Sequence, residues 1–185
     1  MPFDFIKTFT NLGRIELSDT GQENIPHENT GHEKIGQQNI DDFLEAVAAR
    51  KSTPGGGAVA AVCAAQACSL VTMVARFTRG NAEMLSAIAE RANNARATLV
   101  SLADEDVLAF EALMKCYREY NRENQTPEAI IRIDSALVQA AHAPRLIIRI
   151  TLTLINDLKI LSEIGNPNLM TDVAISATLF KAALN

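Results

Sequence analysis

The sequence predicts an all-α fold, an up-and-down antiparallel bundle of long helices, and three observations carry that reading. From Ile40 onward apolar residues recur at steps of three and four. The breaks between these runs are made of Pro, Gly and Asn. No stretch alternates apolar and polar residues between turn signals, as a half-buried strand would.

The first helix is read in "NIDDFLEAVAARKS", where Asn39 or Asp41 serves as N-cap and Phe43, Leu44 and Val47 form the apolar face. Thr53-Pro54-Gly55 stops it. A second helix is expected from about Gly57 to Arg79, with Gly80 as the residue just past its end. The third, from Ala82 to Tyr120, would be about 58 Å long if unbroken. Thr126 caps a fourth, Pro127 to Ile164, in which Pro144 predicts a kink. Gly165-Asn166-Pro167-Asn168 closes that helix, and a last one begins near Thr171.

Residues 1–39 read as a separate polar extension, and residues 40–185 as the helical domain. Within 21–40 stand four pentapeptides, GQENI, PHENT, GHEKI and GQQNI. Five-residue coils stack only around a bulky apolar residue, and Glu or Gln holds the central place here, so no core forms. His27 and His32 lie five apart without the further ligands that four-coordinate zinc needs, and no metal is expected.

Composition excludes several classes. At 185 residues and 48% hydrophobic, the chain has enough apolar surface for a core without disulfides. Net charge is −5, the pI is near 5.2, and the Lys and Arg residues are scattered, which argues against a nucleic-acid partner. Cys63, Cys68 and Cys116 form no metal pattern and fit reduced thiols in the cytoplasm. "MPFDFIKTFTNLGRIEL" lacks the basic-then-apolar order of a signal peptide. Ser52 to Ala75 carries no charge over 24 residues, enough to span a bilayer. Yet most of those residues are Gly, Ala, Ser, Thr and Cys, with Gln66 near the middle, so a buried central helix is expected and a membrane span is not.

Three clusters could carry chemistry. The third helix has a stripe of Leu85, Ile88, Ala92, Ala95, Leu99, Leu102, Asp106, Ala109, Leu113 and Cys116, of which one member is charged. A buried carboxylate needs a partner or a wet pocket. Asp106 is therefore either a functional group or a helix-edge residue paired with an arginine. Gly55-Gly56-Gly57 opens the second helix, where bare N–H groups and the absence of Cβ atoms permit close approach of a carboxylate, carbonyl or phosphate. The run fits neither a Walker loop nor a Rossmann turn. In "GNPNLMTD", Asn166 and Asn168 flank a proline, and Asp172 falls where a helix dipole favours an anion.

Taken in order, "STPGGGAVAA" (52–61), "DVLAF" (106–110) and "GNPNLMTDVA" (165–174) resemble the formiminotetrahydrofolate cyclodeaminase and methenyltetrahydrofolate cyclohydrolase family of folate one-carbon enzymes. The resemblance runs from about Ile40 to the C-terminus. It implies an all-helical homodimer whose substrate is a tetrahydrofolate carrying a one-carbon unit between two nitrogens, with no cofactor beyond that substrate. Two reactions are implied: cyclisation of formimino-tetrahydrofolate with loss of ammonia, or opening of methenyl-tetrahydrofolate by water to the 10-formyl form. On the matching positions it assigns Asp106 as general acid/base and Pro54, Gly55, Gly56, Gly57, Arg79, Asn166, Asn168 and Asp172 to substrate binding. The chain departs from the family at Ala58, where a serine is usual, and after the second helix, where Arg79 stands in place of a lysine-rich segment with a tyrosine. Family members also continue with a short polar and basic stretch beyond the position of Asn185.

Cyclohydrolase is the expected activity, because ammonia release is typically coupled to a formiminotransferase domain that this sequence does not carry. Cyclodeaminase is the alternative. From a different class comes a catalytically degenerate helical dimer that keeps the fold without the pocket.

Overall fold

One helix of small residues sets how closely the others approach. A computed structural model describes residues 33–122 and 126–185, and among them all regular structure is helical. Six α-helices follow in order: α1 (Ile40–Ala48), α2 (Gly56–Phe77), α3 (Ala82–Arg122), α4 (Pro127–Ala140), α5 (His142–Ile164) and α6 (Met170–Ala183). Short 3-10 turns lie at Ile35–Gln37 and Pro167–Leu169. The histidines of the pentapeptides, His27 and His32, fall outside the described residues.

Helix α2 packs against α3, α5 and α6. Ala58, Ala61, Ala64, Ala67 and Cys68 on its inward side are fully buried, and these short side chains let neighbouring backbones come close. They share one core with larger residues, among them Ile88, Leu99 and Leu102 of α3, Ile147 and Leu161 of α5, and Phe180 of α6, all buried. Helices α2 and α3 are antiparallel. Gly57 meets Asp106 near one end, and the Thr72 hydroxyl approaches the Ala89 carbonyl at 3.5 Å near the other.

Helix α3 runs unbroken for 41 residues, about 61 Å, against about 33 Å for α2. Helices α4 and α5 also pack against α3, and α5 does so at Arg91. Between α3 and α5 the Arg91 guanidinium donates twice to Asp157, Nε to Oδ2 at 3.0 Å and Nη2 to Oδ1 at 2.6 Å. Asp157 is 5% exposed, so this pair neutralises a carboxylate that α5 would otherwise bury alone.

Three side chains cap helix starts, Asn39 and Thr126 where the sequence places them and Asn81 where no cap was expected. Asn39 accepts from the Asp42 N–H at the start of α1, Asn81 from Met84 at the start of α3, and Thr126 from Ala129 at the start of α4. Helix α2 stops at Phe77, two residues short of Arg79. The Thr78 hydroxyl there donates to the Val74 carbonyl at 2.7 Å, and Gly80 takes φ +150°, a conformation glycine adopts without a Cβ penalty.

The expected fourth helix is two. Ala141 separates α4 from α5 with helix-like angles, φ −77° and ψ −11°, so the interruption is a kink rather than a reversal. It falls three residues before Pro144 because a proline ring collides with the carbonyl four positions back, here Ala140, and offers that carbonyl no N–H. Proline then sits in the first turn of α5, where a missing donor costs nothing.

Residues 33–38 belong with the helical body. Ile35 is buried, its N–H donates to Asp104 at 2.8 Å, and Gly36 lies so close to Val100 that a Cβ would come within 2.5 Å of its Cγ1. Asp104, which the stripe leaves to solvent, therefore has a structural task.

Helix α2 is long and apolar enough to cross a membrane by length and composition, and 56% of its most apolar window is buried inside the bundle. Along the remainder, Val59, Cys63, Leu70 and Met73 are half-buried and Gln66 and Phe77 are exposed.

Candidate functional site

The geometry around Asp106 follows from a shift in the α3 stripe. Leu99 and Leu102 are buried, but further along the buried positions are Ala103 and Val107. Asp106 is left beside that line, half-buried. Its carboxyl is seated on the N-terminus of α2. A Cβ on Gly57 would overlap the carboxyl group, with Cγ and Oδ2 both at 2.5 Å, so no other residue fits while Asp106 holds this position. The Ala58 backbone N–H donates to the carboxylate. Burial pushes the Asp106 carboxyl above its ordinary value, and the Ala58 N–H opposes that rise. Among the described residues no arginine pairs with Asp106: the stripe has shifted as the helix-edge expectation has it, but the carboxyl is turned to the glycine corner instead of to a cation.

The three glycines differ. Gly57 is required by contact, whereas Gly56 has nothing within 4 Å of where its Cβ would stand and Gly55 meets only the Ser52 carbonyl at 3.5 Å. No side chain caps Gly55, which leaves the positive end of α2 open beside Asp106. Pro54 is buried and joined to Thr53 by a cis peptide bond.

The other predicted residues lie elsewhere. Asn166 Nδ2 donates to the Phe77 carbonyl at 3.2 Å, its N–H donates to the Thr78 hydroxyl at 3.1 Å, and its Oδ1 accepts from Asn168. These bonds fix the 165–169 turn to the C-terminal end of α2. Arg79 is there too, and it lines two adjoining grooves of about 720 and 590 Å³. The first runs between the end of α2 and the start of α3; the second holds Gly165 to Asn168. Asp172 is half-buried in the first turn of α6. Within one chain, then, Pro54, Gly55, Gly56, Gly57 and Asp106 form one cluster, and Arg79, Asn166 and Asn168 form another at the far end of α2, about 30 Å away, while Asp172 lines neither groove. A single-chain pocket shared by all three motifs is not what the structure builds, because the turn that carries the amides must follow α5 to the end of α2 opposite the glycines.

Sequence reasoning missed three residues near these clusters. Arg76 lines both grooves beside Arg79, and its position one turn earlier on α2 was a usable signal. Thr53 Oγ1 donates to Glu111 Oε1 at 2.7 Å. Nothing in the sequence links those two positions, since they are 58 residues apart on different elements. Among the described residues no three His, Cys, Asp or Glu side chains gather as a metal site would require.

An all-α bundle with a half-buried carboxyl seated on a glycine-opened helix is the architecture of the helical folate-enzyme class. Residues 39–185 match the formiminotransferase-cyclodeaminase family, and the chain belongs to it. It is similar to a methenyltetrahydrofolate cyclohydrolase of Methylorubrum extorquens, 32% identical over 81% of this chain and 78% of that protein. It is also similar to the formimidoyltransferase-cyclodeaminase of Rattus norvegicus, 32% identical over 73% of this chain but only 26% of the rat protein. Among solved structures, a formiminotetrahydrofolate cyclodeaminase of Thermotoga maritima aligns with a TM-score of 0.72 and 36% identity, covering 80% of this chain and 74% of that one.

Proposed function

We propose that the protein is a folate one-carbon enzyme, a methenyltetrahydrofolate cyclohydrolase, in which Asp106 is the general acid/base. The observation that carries this reading is the Asp106 carboxyl seated on Gly57, held by the Ala58 N–H and raised in pKa by burial. Such a group can take a proton from water and return it to nitrogen. Water adds to the carbon between the two folate nitrogens and gives up one proton to Asp106. The tetrahedral carbon then loses its bond to N5, which receives that proton from Asp106. The hydroxyl becomes the formyl carbonyl as its own proton leaves to solvent. The carboxylate also stabilises the cationic substrate before attack. Water and proton transfer account for every atom, so the proposed reaction needs no cofactor beyond the tetrahydrofolate substrate.

The similarity to the Methylorubrum cyclohydrolase over most of both chains supports this reaction. The Thermotoga structure supports formimino-tetrahydrofolate cyclodeaminase as the second reading, and the same carboxyl would serve it by protonating the departing ammonia.

We further propose a homodimer working in the cytoplasm, with α2 at its interface. The apolar window of α2 is only partly covered within one chain. An antiparallel pairing of two α2 helices would bring the glycine corner of one chain to the Arg79, Asn166 and Asn168 end of its partner, where the folate carboxylates would find their cations. Nothing in the charge pattern calls for nucleic acid.

The test is spectroscopic. Purified protein should accelerate loss of the methenyl chromophore at near-neutral pH, and Asp106→Asn should remove most of the acceleration, by roughly 100-fold or more. Formation of the chromophore from formimino-tetrahydrofolate, faster than its loss, would select the cyclodeaminase. Decay at the rate of buffer alone in both directions would leave only the catalytically degenerate dimer.

A further inference from the structure

We propose that Thr53 and Glu111 are positioning residues for Asp106, fixing the glycine corner against α3 so that the Ala58 N–H meets the carboxyl. The inference rests on the reading of Asp106 as the acid/base group. Glu111 stands five residues beyond Asp106 on α3, about 7.5 Å along the axis. Thr53 stands four residues before Gly57 on the loop that leads into α2. The Thr53 hydroxyl donates to Glu111 Oε1 at 2.7 Å, a short bond to a charged acceptor and stronger than one between neutral groups. Two carboxylates of the same helix therefore grip one segment at two points, Glu111 at the loop and Asp106 at the first turn of α2.

The second grip has no slack. A Gly57 Cβ would lie inside the Asp106 carboxyl, so a small slide of the loop along α3 pushes the Gly57 backbone into that carboxyl or draws the Ala58 N–H off it. The Gly55 end of α2 has no side-chain cap of its own to resist such a slide. Thr53 is 9% exposed and Pro54 is buried beside it, so the anchor is sheltered at its loop end, while Glu111 reaches in from an exposed position on α3. Glu111 touches no part of the proposed reaction and acts through Thr53.

Four variants test this, each paired with its conservative control: Thr53→Val against Thr53→Ser, and Glu111→Ala against Glu111→Gln. Valine keeps the shape and loses the hydroxyl; serine keeps the donor; glutamine keeps an acceptor oxygen. Thr53→Val and Glu111→Ala are expected to lower kcat about tenfold while KM stays within about twofold, and Thr53→Ser and Glu111→Gln to return most of kcat. A second readout does not need turnover. The Ala58 amide proton shift, measured by heteronuclear NMR, should move in Thr53→Val and Glu111→Ala toward its position in Asp106→Asn, and should stay near wild type in the two controls. An Ala58 shift that does not move in Thr53→Val or Glu111→Ala overturns the inference. Asp106→Asn with full activity overturns the catalytic reading instead, and the amide shifts still decide whether the pair positions the carboxyl.

Discussion

Gly57 carries two opposed demands in a single residue. It occupies the first turn of an α-helix, where alanine would be favoured by roughly 0.5–1 kcal/mol, yet a Cβ there would overlap the Asp106 carboxyl. Because the obstacle is the end of a side chain rather than backbone, the carboxyl can turn aside and the fold survives. Gly57→Ala should therefore leave Tm unchanged or slightly raised while kcat falls at least about tenfold through loss of the Ala58 contact. Thermal melting and chromophore decay on the same sample check both halves. Asp106 predicts a complementary pH effect. Burial raises its folded-state pKa above the ordinary 3.8, so the folded protein holds this proton longer than the unfolded chain, and stability falls as pH rises through the folded-state value. Asp106→Asn should accordingly raise Tm at pH 7, with the gain shrinking as pH falls and absent below about 3.8, where both states are protonated. Melting curves of the two proteins across that range decide it. The inward bias of Asp106 was legible in the sequence because a lone charge broke an apolar stripe. Its half-buried placement was not, because the stripe moves to Ala103 and Val107 as α3 passes the end of the α2 contact, and only the partner helix reveals where that happens.

Among the helices, ends written by local chemistry were legible and ends written by packing were not. Asn39 and Thr126 announce their helices because a side chain satisfies a backbone donor within three residues. The break at Ala141 was readable to within three residues from Pro144. Thr78 could not be read as the stop of α2, since its hydroxyl accepts from the Asn166 N–H, a residue 88 positions on that only the folded bundle brings to it. The same holds for the clip between α3 and α5. Arg91 looks like one of many surface cations in the sequence, and its side chain is half exposed, but the Asp157 it pairs with is nearly buried. Arg91→Ala strands that carboxylate, and the cost should be about 1–3 kcal/mol. Arg91→Ala combined with Asp157→Asn should recover part of the loss, since the stranded charge is then gone. Urea midpoints for the two variants give the comparison, and equal midpoints would mean that the carboxylate is hydrated without its arginine.

At the scale of the whole molecule, the sequence motifs stand in an order that one chain does not bring together. Asp106 and the glycines occupy one end of α2, and Arg79 and the 165–169 turn occupy the other. Helix length alone keeps them about 30 Å apart, and no rotamer change closes that gap. The proposed dimer, two chains related by a two-fold axis across the exposed side of α2, would remove the conflict, because each end would then face its complement on the partner. Mixed subunits separate this arrangement from a site confined to one chain. Asp106→Asn and Arg79→Ala homodimers should each be nearly inactive, Arg79→Ala through substrate binding and Asp106→Asn through chemistry. After unfolding and refolding together in equal amounts, random pairing gives hybrids in which one site has both wild-type residues and the other has neither. About a quarter of all sites are then intact, and activity should return to roughly that fraction of wild type. Should Arg79 and Asp106 instead serve the same site from the same chain, every site in every hybrid carries one lesion, and refolding the mixture restores nothing.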